Sequence, residues 1–302
     1  MPLTRALTLE HNAPIPTWYG IGGRADRFCR PESLEDLKAC LELDPNLKVL
    51  GDGANLLVDD DGVSNLVVSL TAPAFTSVRR EGSTTIAGSG ANLPKLITSA
   101  VRDGLAGIEG LGGIPASVGG AAIMNAGGTF GQFADAVARI HALDRRGGGH
   151  EVTLDRKDIN FNYRHSGLDQ LIITSVELNL TPADPIALRD HLKEVMAYKK
   201  STQPMAAKSA GCVFKNPTLT HDLKDIAQKG SRVSAGMLID RAGCKGTRIG
   251  GAEVSHNHAN FITTDESAKA RDVIALLNEV TRRVHDAFGI TLTPEIAIWK
   301  RT

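Results

Sequence analysis

A glycine-rich but apolar stretch, residues 107–128, constrains the fold of this chain more than any other feature. It contains eight glycines and one proline. It also carries apolar side chains throughout, namely Ile108, Leu111, Ile114, Val118, Ile123 and Met124. The apolar residues indicate packed backbone, and packed backbone without Cβ atoms lets a flat or anionic group approach the main chain closely. A run of tight turns in a β domain is the structural alternative.

A second glycine cluster, at residues 51–55, lies between two short apolar runs and predicts a strand, a glycine turn and another strand. It does not match the dinucleotide-binding fingerprint, which needs a third glycine at position 56, where the chain has Leu56, and then a helix. The longer stretch fails the same test at Pro115. We therefore exclude a Rossmann site and expect turns between strands to hold phosphates through backbone N–H groups. A diphosphate and an isoalloxazine ring both fit such backbone.

The overall composition bounds the class of protein. A length of 302 residues predicts two or three domains. Basic and acidic residues balance at 34 each, so no basic field indicates nucleic acid or an anionic membrane as a partner. No segment approaches the roughly 20 apolar residues of a membrane span, and residues 1–18 lack a long apolar region.

The cysteine pattern indicates a reducing compartment. The chain has four widely spaced cysteines, at positions 29, 40, 212 and 244, with no C-x-x-C pair among them. This spacing argues against structural zinc and against a disulfide framework. We therefore expect a cytoplasmic protein without a metal site.

Apolar periodicity predicts a mixture of helices and short strands. The predicted helices cover 34–43, 93–102, 185–200, 233–241 and 265–288. Ser33 is placed to cap the first helix, and Gly104, Gly243 and Gly289 are placed to end later ones. The predicted strands cover 48–50, 56–58, 65–70, 84–87, 137–143, 151–154, 171–180 and 291–299. The order is α+β rather than a regular βαβ alternation, which disfavours a doubly wound sheet.

Two polar clusters, at residues 162–167 and 211–217, contain candidate catalytic side chains. Arg164 has an aromatic neighbour, and a buried guanidinium needs an anionic partner or ligand, although an ordinary loop arginine fits equally well. Cys212 follows a glycine and precedes Lys215 and Asn216, which places a thiol near a cation. For an isolated cysteine, a small buried apolar residue is the alternative.

Two further clusters, at residues 248–260 and 293–296, are weaker candidates. His256 and His258 are two positions apart, but no third ligand is spaced nearby, so a metal site is disfavoured. Asn257 and Asn260 indicate a hydrogen-bonding role for this cluster instead. Glu295 lies in an apolar run, where a carboxylate is costly without a partner. Exposure on an edge strand is the alternative for Glu295.

Seven motifs in order along the chain together resemble the UDP-N-acetylenolpyruvoylglucosamine reductases, a family of flavoenzymes. They are Gly20-x-Gly-Gly-x-Ala25, Gly51-Asp-Gly-Ala-Asn55, Gly113-Ile-Pro-x-x-x-Gly-Gly120 with Asn125-Ala-Gly127, Tyr163-Arg164-x-Ser166, Gly211-x-x-Phe-Lys-Asn-Pro217, Lys245-Gly-x-x-Ile-Gly-Gly251 and Pro294-Glu295. The set spans nearly the whole chain, and its order and spacing are far more specific than any single motif.

The resemblance implies an α+β architecture: a vanillyl-alcohol-oxidase (PCMH-type) FAD-binding fold of two subdomains, followed by a C-terminal α+β substrate-binding domain. We expect the subdomains at 1–70 and 71–203 and the substrate-binding domain at 204–288. The last strand, within 289–302, is expected to return to the second subdomain. The segment 180–215 is too short for the tyrosine-bearing insertion of one family subtype, so the chain resembles the shorter subtype.

The resemblance also implies a two-step reaction. NADPH reduces non-covalently bound FAD and leaves, and UDP-N-acetylglucosamine enolpyruvate then binds the same site. Hydride goes to the terminal vinyl carbon and a proton to the adjacent carbon, which gives UDP-N-acetylmuramate for peptidoglycan synthesis. These small molecules are the expected partners of a monomer that binds neither nucleic acid nor membranes.

Site residues carry over by position. The expected FAD-binding residues are Gly51, Asp52, Gly53, Ala54, Asn55, Leu56, Gly113, Ile114, Pro115, Ser117, Val118, Gly119, Gly120, Asn125, Ala126 and Gly127. The expected substrate-binding residues are Lys200, for which Lys199 is an alternative, and Lys215, Asn216 and His258. Arg164 and Glu295 are expected near the enolpyruvyl carboxylate, where developing charge favours a preorganised cation. Glu295 is either protonated or holds Arg164 or a water.

Cys212 is the informative departure, because the family's usual residue at this position is a proton-donating serine. A thiol with an ordinary pKa of about 8.5 is mostly protonated at neutral pH and is a stronger acid than a hydroxyl. We therefore predict that Cys212 donates the proton. The alternatives are a flavin-dependent oxidase of the same FAD fold and a non-catalytic sugar-nucleotide-binding relative. Neither histidine nor cysteine, the usual flavin tethers of such oxidases, occurs in the two glycine segments.

Overall fold

The computed structural model describes residues 7–81 and 84–301, so the first six residues of the N-terminal segment considered above lie outside it. Its contacts divide the chain into two compact units. Unit 1 comprises Met1–Ala13, Ala25–Asp52 and Ser64–Lys199, and unit 2 comprises Pro14–Arg24, Gly53–Val63 and Lys200–Thr302. Across the described ranges, no helix is long and apolar enough to cross a membrane.

The described elements alternate irregularly between helix and strand. The helices are α1 (Leu34–Leu43), α2 (Pro73–Thr76), α3 (Leu93–Arg102), α4 (Val118–Met124), α5 (Pro185–Thr202), α6 (Ala235–Arg241) and α7 (Ala270–Phe288). The strands are β1 (Leu9–Pro14), β2 (Arg24–Cys29), β3 (Lys48–Leu50), β4 (Leu56–Val58), β5 (Val63–Ser69), β6 (Val78–Glu81), β7 (Thr84–Gly88), β8 (Leu105–Ala106), β9 (Gly127–Gly128), β10 (Gly131–Gln132), β11 (Val137–Asp144), β12 (His150–Asp155), β13 (Leu171–Asn179), β14 (Thr181–Pro182), β15 (Arg248–Ile249), β16 (Ala252–Val254), β17 (Ile262–Thr264) and β18 (Ala297–Trp299).

Unit 1 is built on two larger sheets, beside which β9 pairs with β10 and β8 with β14. The first has the strand order β1-β2-β5-β3, with β3 parallel to β5, and the second is the antiparallel sheet β12-β11-β13-β7-β6. Helix α1 begins where the Ser33 hydroxyl accepts from the Asp36 N–H, and it buries Leu37, Cys40 and Leu41. Helix α3 begins in the same way at Asn92 and buries its apolar stripe in the core of the second sheet.

Unit 2 places short strands around two helices. Strands β15, β16 and β17 form an antiparallel sheet, and β18 lies parallel to β4. Helix α7 buries Val273, Leu277 and Val280 in the core of this unit, together with the apolar face of α6. Gly289 adopts a φ of 65° and ends α7 in the left-handed conformation.

Asp60 caps α7 from a distant part of the sequence. Its two carboxylate oxygens accept from the Ala270 N–H at 2.9 Å and from the Arg271 N–H at 3.1 Å. A carboxylate at this end satisfies free N–H groups and opposes the positive end of the helix dipole. The loop that carries Asp60 therefore holds the start of the longest helix in unit 2.

Replacing Asp60 by alanine is expected to lower the free energy of unfolding of unit 2 by about 1–2 kcal/mol, since both capping hydrogen bonds are lost. Trp18 and Trp299 both belong to unit 2, so tryptophan fluorescence during chemical denaturation measures this change. The control is Asp61→Ala, which removes an exposed carboxylate and should change stability by less than about 0.5 kcal/mol. Equal effects of the two variants would contradict the capping role.

Much of the predicted secondary structure is confirmed, and three predictions are wrong. Helices α1 and α3 have the predicted bounds. The glycine-rich stretch, however, contains helix α4 where turns between strands were expected. Helix α7 begins at Ala270 rather than Asp265, because the Asp265 carboxylate accepts from the Ser267 N–H in a turn while Asp60 caps the helix further on.

The third correction concerns the C-terminal strand. It covers Ala297–Trp299 rather than 291–299, and it pairs with Leu56–Val58 instead of a strand of 71–203. The strand is shorter because the Thr293 carbonyl and the Glu295 N–H bond to the backbone of residues 213–215. Only Ala297–Trp299 then pair with β4. The two larger sheets of unit 1 fall within 9–69 and 78–179. The three-part domain division itself stays a prediction.

Candidate active site

In unit 1, the glycine-rich stretch runs beside residues 89–93 and then enters α4. The Gly119 N–H donates to the Ser89 carbonyl at 2.7 Å, and the Val118 N–H donates to the Ala91 carbonyl at 2.9 Å. The Ser117 hydroxyl caps α4 by accepting from the Gly120 N–H at 3.2 Å. These bonds hold the backbone of the predicted cofactor segment from the side of residues 89–91.

The two adjacent glycines of α4 have different reasons to be glycine. A Cβ on Gly119 would lie 2.9 Å from the Ser89 Cβ, so the packing of the chain itself excludes a side chain there. A Cβ on Gly120 would meet only the Ser117 Oγ, at 3.2 Å, and otherwise open space. Within the part of the chain that the structure describes, no atom lies within 4 Å of a Cβ position on Gly128. The space above Gly120 and Gly128 is therefore free for a ligand that needs close backbone approach.

The two glycine clusters meet at Ser117. A Cβ on Gly51 would lie 2.7 Å from the Ser117 Oγ, which places the end of β3 against the start of α4. The structure thus brings together Gly51 and the segment 117–120, as one FAD-binding surface requires. Leu56 and Val118, by contrast, are buried, so only their backbone could face a ligand.

Asn125 is a structural member of the predicted cofactor set. It is 1% exposed and adopts a φ of 42°. Its amide nitrogen donates to the Gln132 Oε1 and the Asn162 carbonyl, each at 3.0 Å, and its Oδ1 accepts from the Ala134 N–H. Asn125 therefore ties the end of α4 to the loop that carries Arg164.

Arg164 lies at the end of the glycine-rich stretch. Its guanidinium donates to the Gly127 carbonyl at 2.9 Å and stacks over the Tyr163 ring, whose centroid is 5.1 Å away. Its backbone has a φ of 53°, in the left-handed region that a tight turn between Asn162 and His165 requires. The neighbouring Ser166 is 2% exposed and donates to the Ile123 carbonyl at 2.8 Å, which anchors the turn.

The structure separates the two lysines that the sequence left open. Lys199 is 7% exposed on α5, and its Cδ would lie 3.1 Å from a Cβ on Gly113. Lys200 is exposed. Of the two, Lys199 therefore lies against the predicted cofactor segment.

In unit 2, the segment 212–216 lies between two other segments. On one side the backbone of Cys212 pairs with that of Phe261 in an antiparallel bridge, and the Val213 N–H donates to the Asn260 carbonyl at 2.9 Å. On the other side the Glu295 N–H donates to the Val213 carbonyl at 2.8 Å, and the Lys215 N–H donates to the Thr293 carbonyl at 2.9 Å. Residues 211–217 and 293–296, which are distant in sequence, thus become neighbouring backbone segments, with Cys212 and Glu295 half-buried.

Two asparagines of unit 2 hold this arrangement in place. The Asn55 amide donates to the Glu295 carbonyl at 3.2 Å, and the Asn55 carbonyl accepts from the Ala297 N–H at 3.0 Å. The Asn216 Oδ1 accepts from the Ala235 N–H at 2.9 Å and so fixes the start of α6. Asn55, expected from the sequence to bind the cofactor, has its side chain directed to the backbone of the catalytic candidate Glu295.

His258 is packed rather than extended into solvent. Its Nδ1 accepts from the Asn260 N–H at 3.2 Å, and its ring meets Phe261 edge-on with centroids 4.9 Å apart. Burial lowers the pKa of His258, so the ring is neutral at neutral pH. Among the described residues, no group of three or more histidine, cysteine or acidic side chains could hold a metal ion. The four cysteines are free thiols, and all except the half-buried Cys212 are buried.

Comparisons with known proteins agree with this layout. A family model for the UDP-N-acetylenolpyruvoylglucosamine reductase C-terminal domain matches residues 203–299, and an FAD-binding-domain model matches residues 25–153. The UDP-N-acetylenolpyruvoylglucosamine reductase of Bradyrhizobium sp. (strain ORS 278) is 38% identical over 98% of this chain and 93% of its own length. The same-named protein of Moorella thermoacetica is 39% identical with the same coverage, 98% and 93%.

A solved structure is similar over almost the whole chain. The crystal structure of the reductase (MurB) from Thermus caldophilus matches with a TM-score of 0.82 and 36% identity, covering 97% of this chain and 100% of its own. The sequence motifs and these comparisons lead to the same assignment. The chain belongs to the UDP-N-acetylenolpyruvoylglucosamine reductase family.

Proposed function

We propose that this chain catalyses the FAD-mediated, NADPH-dependent reduction of UDP-N-acetylglucosamine enolpyruvate to UDP-N-acetylmuramate in peptidoglycan precursor synthesis. Family membership over nearly the full length supports the reaction. The observation that carries it is the pairing of the Cys212 and Glu295 segments through the Val213 carbonyl. This hydrogen bond holds the segment of the proton-donor candidate, Cys212, beside the segment of the carboxylate candidate, Glu295.

The residues of unit 1 fit an FAD cofactor, which supplies hydride chemistry when bound. Gly120 and Gly128 carry no Cβ and offer backbone that a diphosphate or a flat ring can approach closely, and the Ser117 hydroxyl lies beside Gly120. Lys199, packed against Gly113, adds a buried cation to the same segment.

The proposed catalytic roles follow from charge and acidity. Arg164, fixed by the Gly127 carbonyl and the Tyr163 ring, is a preorganised cation for the charge that develops on the enolpyruvyl group. Cys212 delivers the proton to the carbon beside the one that receives hydride. Glu295 is the acidic partner on the segment next to Cys212, and Lys215 and Asn216 bind the sugar nucleotide.

The contrast between the two α4 glycines tests the cofactor surface. Gly120→Ala should raise the FAD dissociation constant by about one to two orders of magnitude, since overpacking costs about 1–3 kcal/mol. The melting temperature of the apoprotein should change little, because the helix propensity of alanine, about 1 kcal/mol better than that of glycine, offsets the close contact of the new methyl group with the Ser117 Oγ. Gly119→Ala should instead lower the melting temperature through its clash with Ser89. Unchanged FAD binding by Gly120→Ala would contradict the assignment.

The experiment for the proposed function is a steady-state assay of NADPH oxidation with and without the enolpyruvyl substrate. We expect oxidation to depend on the substrate, with UDP-N-acetylmuramate identified by mass spectrometry. Absence of NADPH oxidation, together with oxygen consumption on addition of an alcohol, would indicate the flavin-dependent oxidase. Binding of the sugar nucleotide without turnover would indicate a non-catalytic relative. The expectations of a cytoplasmic monomer that binds neither nucleic acid nor membranes stay predictions.

A further inference from the structure

Asn260 makes an unusual set of contacts with the segment that carries Cys212. The residue is 3% exposed. Its Oδ1 accepts from the Phe214 N–H at 3.0 Å, and its amide nitrogen donates to the Phe214 carbonyl at 2.8 Å. Its own carbonyl accepts from the Val213 N–H at 2.9 Å. One residue thus satisfies three backbone groups between Cys212 and Lys215.

Residues 212–215 form single backbone bridges, Cys212 with Phe261 and Phe214 with Pro294, and are called the Cys212 strand below. The contacts of Asn260 show that this strand is irregular at Val213. In a regular strand consecutive N–H groups point to opposite sides, but here the N–H groups of Val213 and Phe214 both bond to Asn260. Val213 and Phe214 are also both buried, each at 1% exposure, so the usual alternation of inner and outer side chains is broken. This is the pattern of a β-bulge, in which two residues oppose one.

The irregularity matters because of the spacing of the functional candidates. Cys212 and Lys215 are three positions apart, and a regular strand would direct them to opposite faces. One extra residue between them corrects that difference and lets both face the same side. Cys212 and Lys215 are both half-buried, whereas the two residues between them are buried.

Asn260 is suited to hold this bulge, and neighbouring groups fix its own position. Pro294, which lies opposite Phe214 on the other side, has no N–H to offer. The amide side chain of Asn260 carries an acceptor and a donor on two separate atoms, and so satisfies the buried N–H and the buried carbonyl of Phe214 at once. The Asn260 N–H is itself bound to the neutral His258 ring.

We infer that Asn260 is a positioning residue that places Cys212 and Lys215 on one side of the strand, and so aligns the proton donor with the bound sugar nucleotide. The inference rests on the proposed function. His258, on this account, acts through Asn260 rather than by contacting the substrate. Neither Asn260 nor its effect on Cys212 follows from the motifs that identify the family.

The first test measures the effect of Lys215 on Cys212 without turnover. Iodoacetamide alkylation of Cys212 in the flavin-loaded protein is followed by peptide mass spectrometry. A nearby ammonium promotes the thiolate, so Lys215→Met should slow alkylation by about three- to tenfold. In an Asn260→Ala background the same change should alter the rate by less than about twofold. The inference would be overturned if Lys215→Met slowed alkylation by the same factor with and without Asn260→Ala, or did not slow it when Asn260 is present. Either result would count even if the enzyme reduces its proposed substrate.

The second test separates the half-reactions. Asn260→Ala should slow substrate-dependent flavin reoxidation by at least about tenfold, and should change flavin reduction by NADPH less than about twofold. Added to Cys212→Ala, it should cause less than about twofold further loss, because both act on one step. The matched control is Asn257→Ala, an exposed asparagine of the same turn, which should behave as the unsubstituted protein. Parallel loss of flavin content and of both half-reactions would make Asn260 merely structural and would overturn the inference.

Discussion

Replacing Cys212 by alanine is expected to slow the reduction of the enolpyruvyl substrate by a factor of about 10²–10⁴, the usual contribution of a general acid. Cys212→Ser should keep much of the activity, because a hydroxyl restores a proton donor at the same position. The geometry supports the role, since Cys212 is half-buried and its strand is bonded to the segments of Phe261 and Glu295. Stopped-flow measurement of substrate-dependent flavin reoxidation gives the rate.

The control for this series is the other half-reaction. Flavin reduction by NADPH needs no proton from Cys212 and should be nearly unchanged in both variants. Thiol alkylation gives an independent check: it should inactivate the enzyme, and the sugar-nucleotide substrate should protect Cys212 from it. An alanine variant with the unsubstituted rate, or alkylation that substrate does not slow, would remove Cys212 from the mechanism.

Replacing Arg164 by methionine is expected to lower the rate of substrate reduction by a factor of about 10²–10³, comparable with the loss of one preorganised charge-stabilising donor. Methionine retains a long side chain but removes the cation and the hydrogen bond to the Gly127 carbonyl. Arg164→Lys should recover part of the rate, because it restores the charge but not the planar fork. The rate of the substrate-dependent half-reaction, measured with saturating substrate, checks both values.

The control for Arg164 is structural. The loop is also held by Ser166 and Asn125, which donate to the Ile123 and Asn162 carbonyls, so methionine should leave the melting temperature and flavin content nearly unchanged. A loss of rate that follows a loss of bound flavin would show that Arg164 supports the loop rather than the reaction.

Local signals predicted the elements that depend on local contacts. Helices α1 and α3 begin at Ser33 and Asn92, whose side chains cap within three residues, and their apolar stripes alone indicate where they pack. Helix α4 was missed because Gly119 and Gly120 have poor helix propensity. Its backbone is stabilised instead by bonds from Gly119 and Val118 to the carbonyls of Ser89 and Ala91, which lie far earlier in the sequence.

The candidate site shows the same difference between local signals and long-range contacts. Motifs supplied Arg164, Cys212 and Glu295 as candidates, whereas the burial that distinguishes Lys199 from Lys200 was visible only in the folded chain. The bonding partners of the supporting asparagines were beyond sequence reasoning, because Asn55 bonds to a residue 240 positions away and Asn260 to one 46 positions away. A buried amide that pairs with both backbone groups of a distant residue leaves no periodic signal. Residues of this kind become visible only once the chain is folded.

The most direct test of the central claim is an anaerobic titration of the flavin in two steps. NADPH is added first, and the loss of the oxidised flavin absorbance is followed; UDP-N-acetylglucosamine enolpyruvate is added next. We expect rapid loss of the absorbance, then its return on addition of the second substrate, with one UDP-N-acetylmuramate formed for each flavin reoxidised. Loss without return would contradict the proposed reaction, and absence of bound flavin would contradict the FAD-binding assignment of the glycine-rich stretch.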